Sequence, residues 1–322
     1  MGWWQLDADT LAGGRFTVSP LAETIACLQA FLGDRAAHPA ERAWLDARTP
    51  AFRARLAADP VGALLARVGL TGDWNADFLT PTPTGEPLDF ATELEEVRTA
   101  PPDTARADLA VAAKGRLPSL LDRPDLPERA ADLLAWVWTE LVEPTWPRRR
   151  RVLEADIVAR ADRLSRYGWA AAMDDLPRDE RWLGDGRLQV NAHHYPPREI
   201  AGHRLLLVPV TPRQGWVSWH DGRNAIVYPC TGALAEPSTA APEALARLLG
   251  PGRAAVLVLL DAPKSTTQLV ALTGQGLGSV GRHLKVLLDA RLVHRRRAGR
   301  SVLYYRSPAG DALVHAQKET AT

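Results

Sequence analysis

"GSVGRHLKVLLDARLVHRRRAGRSVLYYRS", residues 278–307, changes its period halfway along. In the first half Val280, Leu284, Leu287 and Leu288 recur at helical spacing, so they share one apolar face. Gly278, Ser279, Arg282 and Lys285 fall on the other side, mostly three and four residues apart. The second half runs through Val293, turns at Ala298-Gly299 and returns through Val302, Tyr304 and Tyr305, the pattern of a β-hairpin. A helix whose exposed face is small, polar and cationic suits the major groove of DNA, where arginine bonds a guanine edge bidentately. The arginines of the hairpin, Arg295, Arg296, Arg297 and Arg300, suit phosphates.

Upstream, residues 242–276 read as a helix, a second helix, a short helix carrying Leu269, Val270 and Leu272, and the turn "TGQG". Ser265 stands where it caps that short helix. The charge is also localised here. Arg253 to Arg306 hold ten basic and two acidic residues, a net +8. The tail beyond contributes −1, so the overall +1 leaves −6 for residues 1–252. An acidic body carrying one basic segment is the asymmetry expected when only that segment touches a polyanion.

With helix pattern, turn and "GRSVLYY" hairpin together, residues 241–315 resemble the ArsR-type winged helix-turn-helix of bacterial repressors. The resemblance implies a homodimer that binds an inverted repeat in double-stranded DNA and lets go, or rearranges, when an effector binds. The DNA-binding set carried over with it is Ser265, Thr266, Gly278, Ser279, Arg282, His283, Lys285, Arg295, Arg296, Arg297 and Arg300. There are departures. Metal-sensing members carry paired cysteines in the helix before the turn, whereas "STTQLVALTG" has none, so no metal is expected at that place. Gly281 replaces the usual serine before the recognition arginine, at about 1 kcal/mol of helix stability, and Gly276 stands where a capping serine is common.

The rest of the chain has a different texture. Ser19 before Pro20 opens a helix through Leu21, Ile25, Leu28 and Leu32. Further helices are expected at roughly 41–57, 60–69, 88–98, 104–115 and 127–142, and Trp146-Pro147 opens a long one. From residue 182 the segments "GRLQVN", "HRLLLVPVT", "GWVSWHD" and "NAIVYPC" read as three or four short strands. The expected fold is thus mainly α with a small β part: a helical N-terminal domain with a short-stranded sheet over 1–233, a linker at 234–244, and the winged helix-turn-helix over 245–322. The stretches "RFTVSPLAET", "DFLTPTP", "PTWPRRR", "LEADI", "LLLVPV" and "IVYPC" resemble the large N-terminal region ahead of an ArsR-type module in a group of actinobacterial regulators, which implies a regulatory domain and names no ligand.

An enzyme is not expected. Asp73, Asp77, Glu93, Glu95 and Glu96 are not spaced to pair across a substrate, Ser19 lacks a Gly-x-Ser-x-Gly setting, and no glycine-rich phosphate loop occurs. His193, His194, His203, His220 and Cys230 are the metal candidates, yet neighbours on a strand point to opposite faces, so no metal or other cofactor is expected. Of the eleven tryptophans, Trp136, Trp138, Trp146, Trp169, Trp182, Trp216 and Trp219 cluster late in the N-terminal region, where they serve a core or line a site for an apolar or planar effector. Arg148–Arg151 open a helix against its dipole, which calls for a carboxylate, either Glu154 and Asp156 on the same helix or an external anion. With Cys27 and Cys230 far apart and no long apolar run, the expectation is a cytoplasmic protein that does not enter membranes. The functional expectation is a homodimeric transcriptional repressor controlled through its N-terminal domain. The alternatives are a winged helix that docks another protein, or an enzyme domain fused to a DNA-binding module.

Overall fold

The computed structural model describes residues 2–34, 36, 39–174, 176, 181–191, 196–230, 242–260, 264–298 and 301–316. Most of the linker expected at 234–244 and both His193 and His194 lie outside them. The chain forms two units, Met1–Leu153 with Tyr167–Leu234, and Glu154–Arg166 with Ala235–Thr322.

The first unit begins with β1 (Gly2–Gln5), α1 (Ala8–Ala12) and β2 (Arg15–Phe16), followed by α2 (Pro20–Gly33), α3 (Pro39–Ala58), α4 (Pro60–Leu70), α5 (Phe90–Arg98), α6 (Pro102–Ala112) and α7 (Leu126–Val137). Local chemistry sets the helix starts. Ser19, Asp59 and Asp89 each accept a hydrogen bond from the amide three residues on, Ala22 at 3.0 Å, Gly62 at 3.0 Å and Thr92 at 2.8 Å. Pro20 and Pro60 take the first helical position, where the missing N–H costs nothing.

The helix expected to run to residue 142 ends at Val137, and a wide π turn (Trp138–Val142) and a tight 3-10 turn (Glu143–Thr145) lead into α8 (Trp146–Met173). Pro144 explains the break, since its ring cannot follow a regular helical turn without clashing with the carbonyl four residues back. Within α8 the helical dihedrals fail at Gly168 (φ 77°, ψ −176°), a region open essentially to glycine alone.

Strands β3 (Arg181–Gly184), β4 (Arg187–Asn191), β5 (Arg198–Glu199), β6 (Arg204–Val210), β7 (Trp216–His220) and β8 (Arg223–Pro229) complete this unit. They form two four-stranded sheets, β3-β4-β1-β5 and β2-β6-β8-β7, where one small sheet was expected. The four strands read from the sequence are β4, β6, β7 and β8. The others are two to four residues long, too short to show a period; β1, β2 and β5 pair far along the chain, as Gly2 does with Asn191, while β3 forms a hairpin with β4.

Side-chain alternation explains why β6 is apolar throughout. Leu206, Val208 and Val210 join the helical core with Leu28, Leu65 and Leu134, while Leu205 and Leu207 join a second core with Trp4, Leu188 and Ile200. Parallel β6 and β8 are therefore covered on both faces, helices on one and the other sheet on the other.

The second unit contains α9 (Glu243–Leu249), α10 (Pro251–Leu259), β9 (Lys264–Ser265), α11 (Thr266–Thr273), α12 (Leu277–Asp289), β10 (Val293–Ala298), β11 (Ser301–Arg306) and α13 (Pro308–His315). Its core gathers Leu245, Ala254, Val256, Leu257, Leu269, Val280, Leu284, Leu287, Val293 and Val314, all buried. The sheet order is β10-β11-β9, with Ser265 opposite Leu303. The sequence showed neither β9 nor α13. Helix α13 is tied on by Ser307, whose hydroxyl accepts from Gly310 N (3.1 Å) and donates to the Arg291 carbonyl (2.7 Å). A Cβ at Gly310 would lie 2.1 Å from the Leu292 carbonyl oxygen, so only glycine permits this approach.

Candidate nucleic-acid interface

Helix α12 follows residues 274–276, and its first turn is open. Gly276 is the N-cap in extended conformation, without a side chain to bond the free amides. The helix ends in a Schellman motif, Leu292 N to Leu287 O and Arg291 N to Leu288 O, both 2.9 Å, with Arg291 held at φ 57°. That closure sends the chain directly into β10, so the hairpin starts from a defined point at the end of α12.

The faces of α12 separate as the apolar spacing requires. Val280, Leu284 and Leu287 are at most 1% exposed, whereas Gly278, Arg282 and Lys285 are exposed. Arg282 Nε bonds the Gly278 carbonyl of its own helix at 3.2 Å. Ser279 is half-buried, and its hydroxyl lies 3.2 Å from Gln275 Oε1 and 3.3 Å from His283 Nε2. His283 sits apart from the exposed set. Its ring covers Gly252 at the start of α10, where an added Cβ would meet Nε2 at 2.5 Å. Burial, then the charges of Arg253 and Arg282, lower its pKa, which disfavours the charged form of this ring.

Three glycines mark the outer side of α12 and its cap. Cβ atoms built on Gly276, Gly278 and Gly281 would meet nothing within 4 Å. The fold therefore has no packing need for them, although glycine inside a helix costs about 1 kcal/mol relative to alanine. What they leave is a low stretch of backbone beside Arg282 and Lys285.

In the hairpin, Arg295 pairs with Tyr304, Arg296 with Leu303 and Arg297 with Val302. Arg295 and Arg296 are exposed and, as neighbours on a strand, point to opposite faces. Ala298 pairs with Ser301, and Gly299 of the expected turn lies outside the described residues. Arg300 and the side chain of Arg297 lie outside the described residues. Arg306, at the base, forms an ion pair with Asp311 at 2.8 Å. Of the two residues before the turn, Ser265 is buried in β9 and Thr266 is half-buried at the start of α11.

Elsewhere several of the polar residues singled out by the sequence have structural partners. Arg149, within the expected anion-seeking run, is 1% exposed and pairs with Glu23 on α2, 2.6 Å away. His203 lies 3.1 Å from the Asn224 amide, and His220 is 3.0 Å from Asp221. Among the described residues no group of three or more His, Cys, Asp or Glu side chains is placed to hold a metal. Glu93 is buried and accepts from Ser19 Oγ (2.9 Å) and Leu21 N (2.8 Å), and burial raises its pKa to about 7. Trp136, Trp138 and Trp146 pack against the helical core, with Trp138 stacked on Phe90 at 4.6 Å. Trp219 instead lines a cavity of about 300 Å³ together with Trp3 and Trp74, which sequence reasoning passed over because they are distant in the chain. None of the described helices is long and apolar enough to cross a membrane.

Residues 251–295, from the start of α10 into β10, match the family described as bacterial regulatory proteins of the arsR family. No curated protein and no solved structure matches the chain. A helix-turn-helix domain of that family, with a hairpin behind its last helix, supports a DNA-binding transcriptional regulator.

Proposed function

We propose that the protein is a homodimeric, sequence-specific repressor in which residues 245–322 bind DNA and residues 1–233 regulate that binding across a linker at 234–244. The observation that carries the reading is the outer side of α12: Gly278 and Gly281 leave space that nothing among the described residues fills, next to the exposed Arg282 and Lys285. A duplex edge is a surface that uses such a gap, because backbone and base pairs then come close enough for arginine to reach guanine O6 and N7.

In this reading α12 enters the major groove, with Arg282, Lys285 and Ser279 toward the bases. Thr266 and Ser265, where α11 begins, stand near the backbone of the duplex. Arg295, Arg296, Arg297 and Arg300 hold phosphates. His283 serves indirectly, by packing on Gly252 and setting the Ser279 hydroxyl. Two copies related by a twofold axis would read half-sites about 34–36 Å apart, hence an inverted repeat. Regulation requires that the N-terminal region bias the spacing of the two α12 helices. A coupling of about 1–3 kcal/mol, roughly 5- to 150-fold in affinity, is enough.

The test is selection of bound fragments from sheared genomic DNA by the full-length protein, with Arg282→Ala beside it. Enrichment of an inverted repeat by the wild type and its loss in the variant is the expected result. Equal recovery of all fragments by both proteins would refute sequence-specific binding.

A further inference from the structure

The cavity of about 300 Å³ in the first unit is lined by Trp3, Trp74, Trp219, Asn191 and Arg198, with Trp4 and two prolines completing its wall. Its volume falls at the small end of ligand pockets, which run from about 300 to 1,000 Å³. Three features set its chemistry. The walls are mostly indole: Trp74 meets Trp219 edge-on, with centroids 5.6 Å apart and planes at 73°. The Trp74 indole is in turn held by a hydrogen bond to Asp77. Second, the Arg198 guanidinium lies over Trp219, 4.5 Å from the ring centroid. Third, among the described residues no carboxylate lines the cavity or stands in ion-pair contact with that guanidinium, although the charge of Asp77, beside Trp74, reaches it.

Each feature restricts the ligand. Indole walls take a flat, apolar body through offset and edge contacts. A cation would profit from indole faces, but here Arg198 covers Trp219 and repels it. An arginine held over a ring with no carboxylate in ion-pair contact presents a fork of donors that matches a carboxylate. Asn191, whose Oδ1 accepts from Gly2 N at 3.2 Å, adds a further polar side chain to the lining.

We propose that this cavity binds a small planar aromatic carboxylic acid, its ring among Trp3, Trp74 and Trp219 and its carboxylate on Arg198. As the signal for DNA release, such an acid would deepen the regulatory reading above and rests on it; as a binding site it stands on the cavity alone.

The experiment is calorimetric titration of the full-length protein with 2-naphthoate, neutral 2-naphthamide and cationic 2-naphthylmethylammonium. Naphthoate is expected to bind at least tenfold tighter than the amide, with the cation weakest. Arg198→Gln should bring naphthoate down to the amide's affinity without changing the amide. Trp219→Leu should weaken both, and its melting curve shows whether it still folds. Equal affinities for acid and amide, or an unchanged naphthoate affinity in Arg198→Gln, would overturn the site. Operator affinity measured with and without naphthoate then separates the two claims: binding that leaves operator affinity unchanged keeps the site and removes its role as the signal.

Discussion

Arg149 and Glu23 meet at 2.6 Å in the interior of the first unit, 1% and 0% exposed, although 126 residues separate them. Arg149 also donates to Thr211 Oγ1 (2.7 Å) and Thr145 Oγ1 (2.9 Å) and lies 4.5 Å from the Trp44 ring. Glu23 accepts from Thr211 N at 2.7 Å. The pair thus joins the start of α8 to α2 and to the residue that follows β6. Removing one partner strands the other charge without water, which typically costs about 3–5 kcal/mol. Arg149→Met and Glu23→Gln should each lower unfolding free energy by that order in urea titrations, and the double variant Glu23→Leu/Arg149→Met should recover much of it. A cost below about 1 kcal/mol for Arg149→Met would show that the pair is not a keystone of this unit.

Glu93 predicts a pH dependence. Burial raises its pKa from 4.5 to about 7, so the folded protein holds this proton more tightly than the unfolded chain does. Its contribution favours folding most below pH 4.5, shrinks as pH climbs toward 7, and is gone above that. The full swing is on the order of 3 kcal/mol. In Glu93→Gln the amide oxygen still accepts from Ser19 and Leu21 while the titration disappears. Asp77, raised to about 6, shifts in the same direction, so the informative quantity is the difference between wild type and variant. That difference in urea stability should change by a few kcal/mol between pH 5 and pH 8. Parallel profiles would contradict it.

Gly281 sets stability against binding. Since its Cβ position is open, Gly281→Ala should raise the stability of the second unit by about 0.5–1 kcal/mol. The methyl group would stand in the space assigned to the duplex, so DNA affinity should fall, by about tenfold or more. A stabilised variant with undiminished affinity would remove close approach as the reason for the glycines.

Arg282 and Arg296 should fail in different ways. Arg282→Ala is expected to cost about 1–3 kcal/mol on the selected operator and to relax preference at one base pair, whereas Arg296→Ala should weaken all sequences alike and flatten the salt slope by about one unit. Arg306→Ala provides the contrast, because its charge is already matched by Asp311 and its loss should leave the slope unchanged. Equal losses on operator and random DNA for the first two variants would defeat the division between base and phosphate contacts.

Most helices and the exposed face of α12 could be read from residue order, for a physical reason. Apolar period, proline position and an N-cap such as Ser19 act over a few residues, so they state α2 and α12 wherever these sit in the molecule. The exposed side of α12 followed likewise, since a helix that buries Val280, Leu284 and Leu287 must turn Arg282 and Lys285 outward. Tertiary structure alone decided the rest. It drew His283 onto Gly252, gave Arg149 to Glu23 rather than to a carboxylate on its own helix, added the two-residue strands, and assembled Trp3, Trp74, Arg198 and Trp219 around one cavity. These relationships join positions tens to hundreds of residues apart, and burial and shape select them only once the sheets and helices have packed.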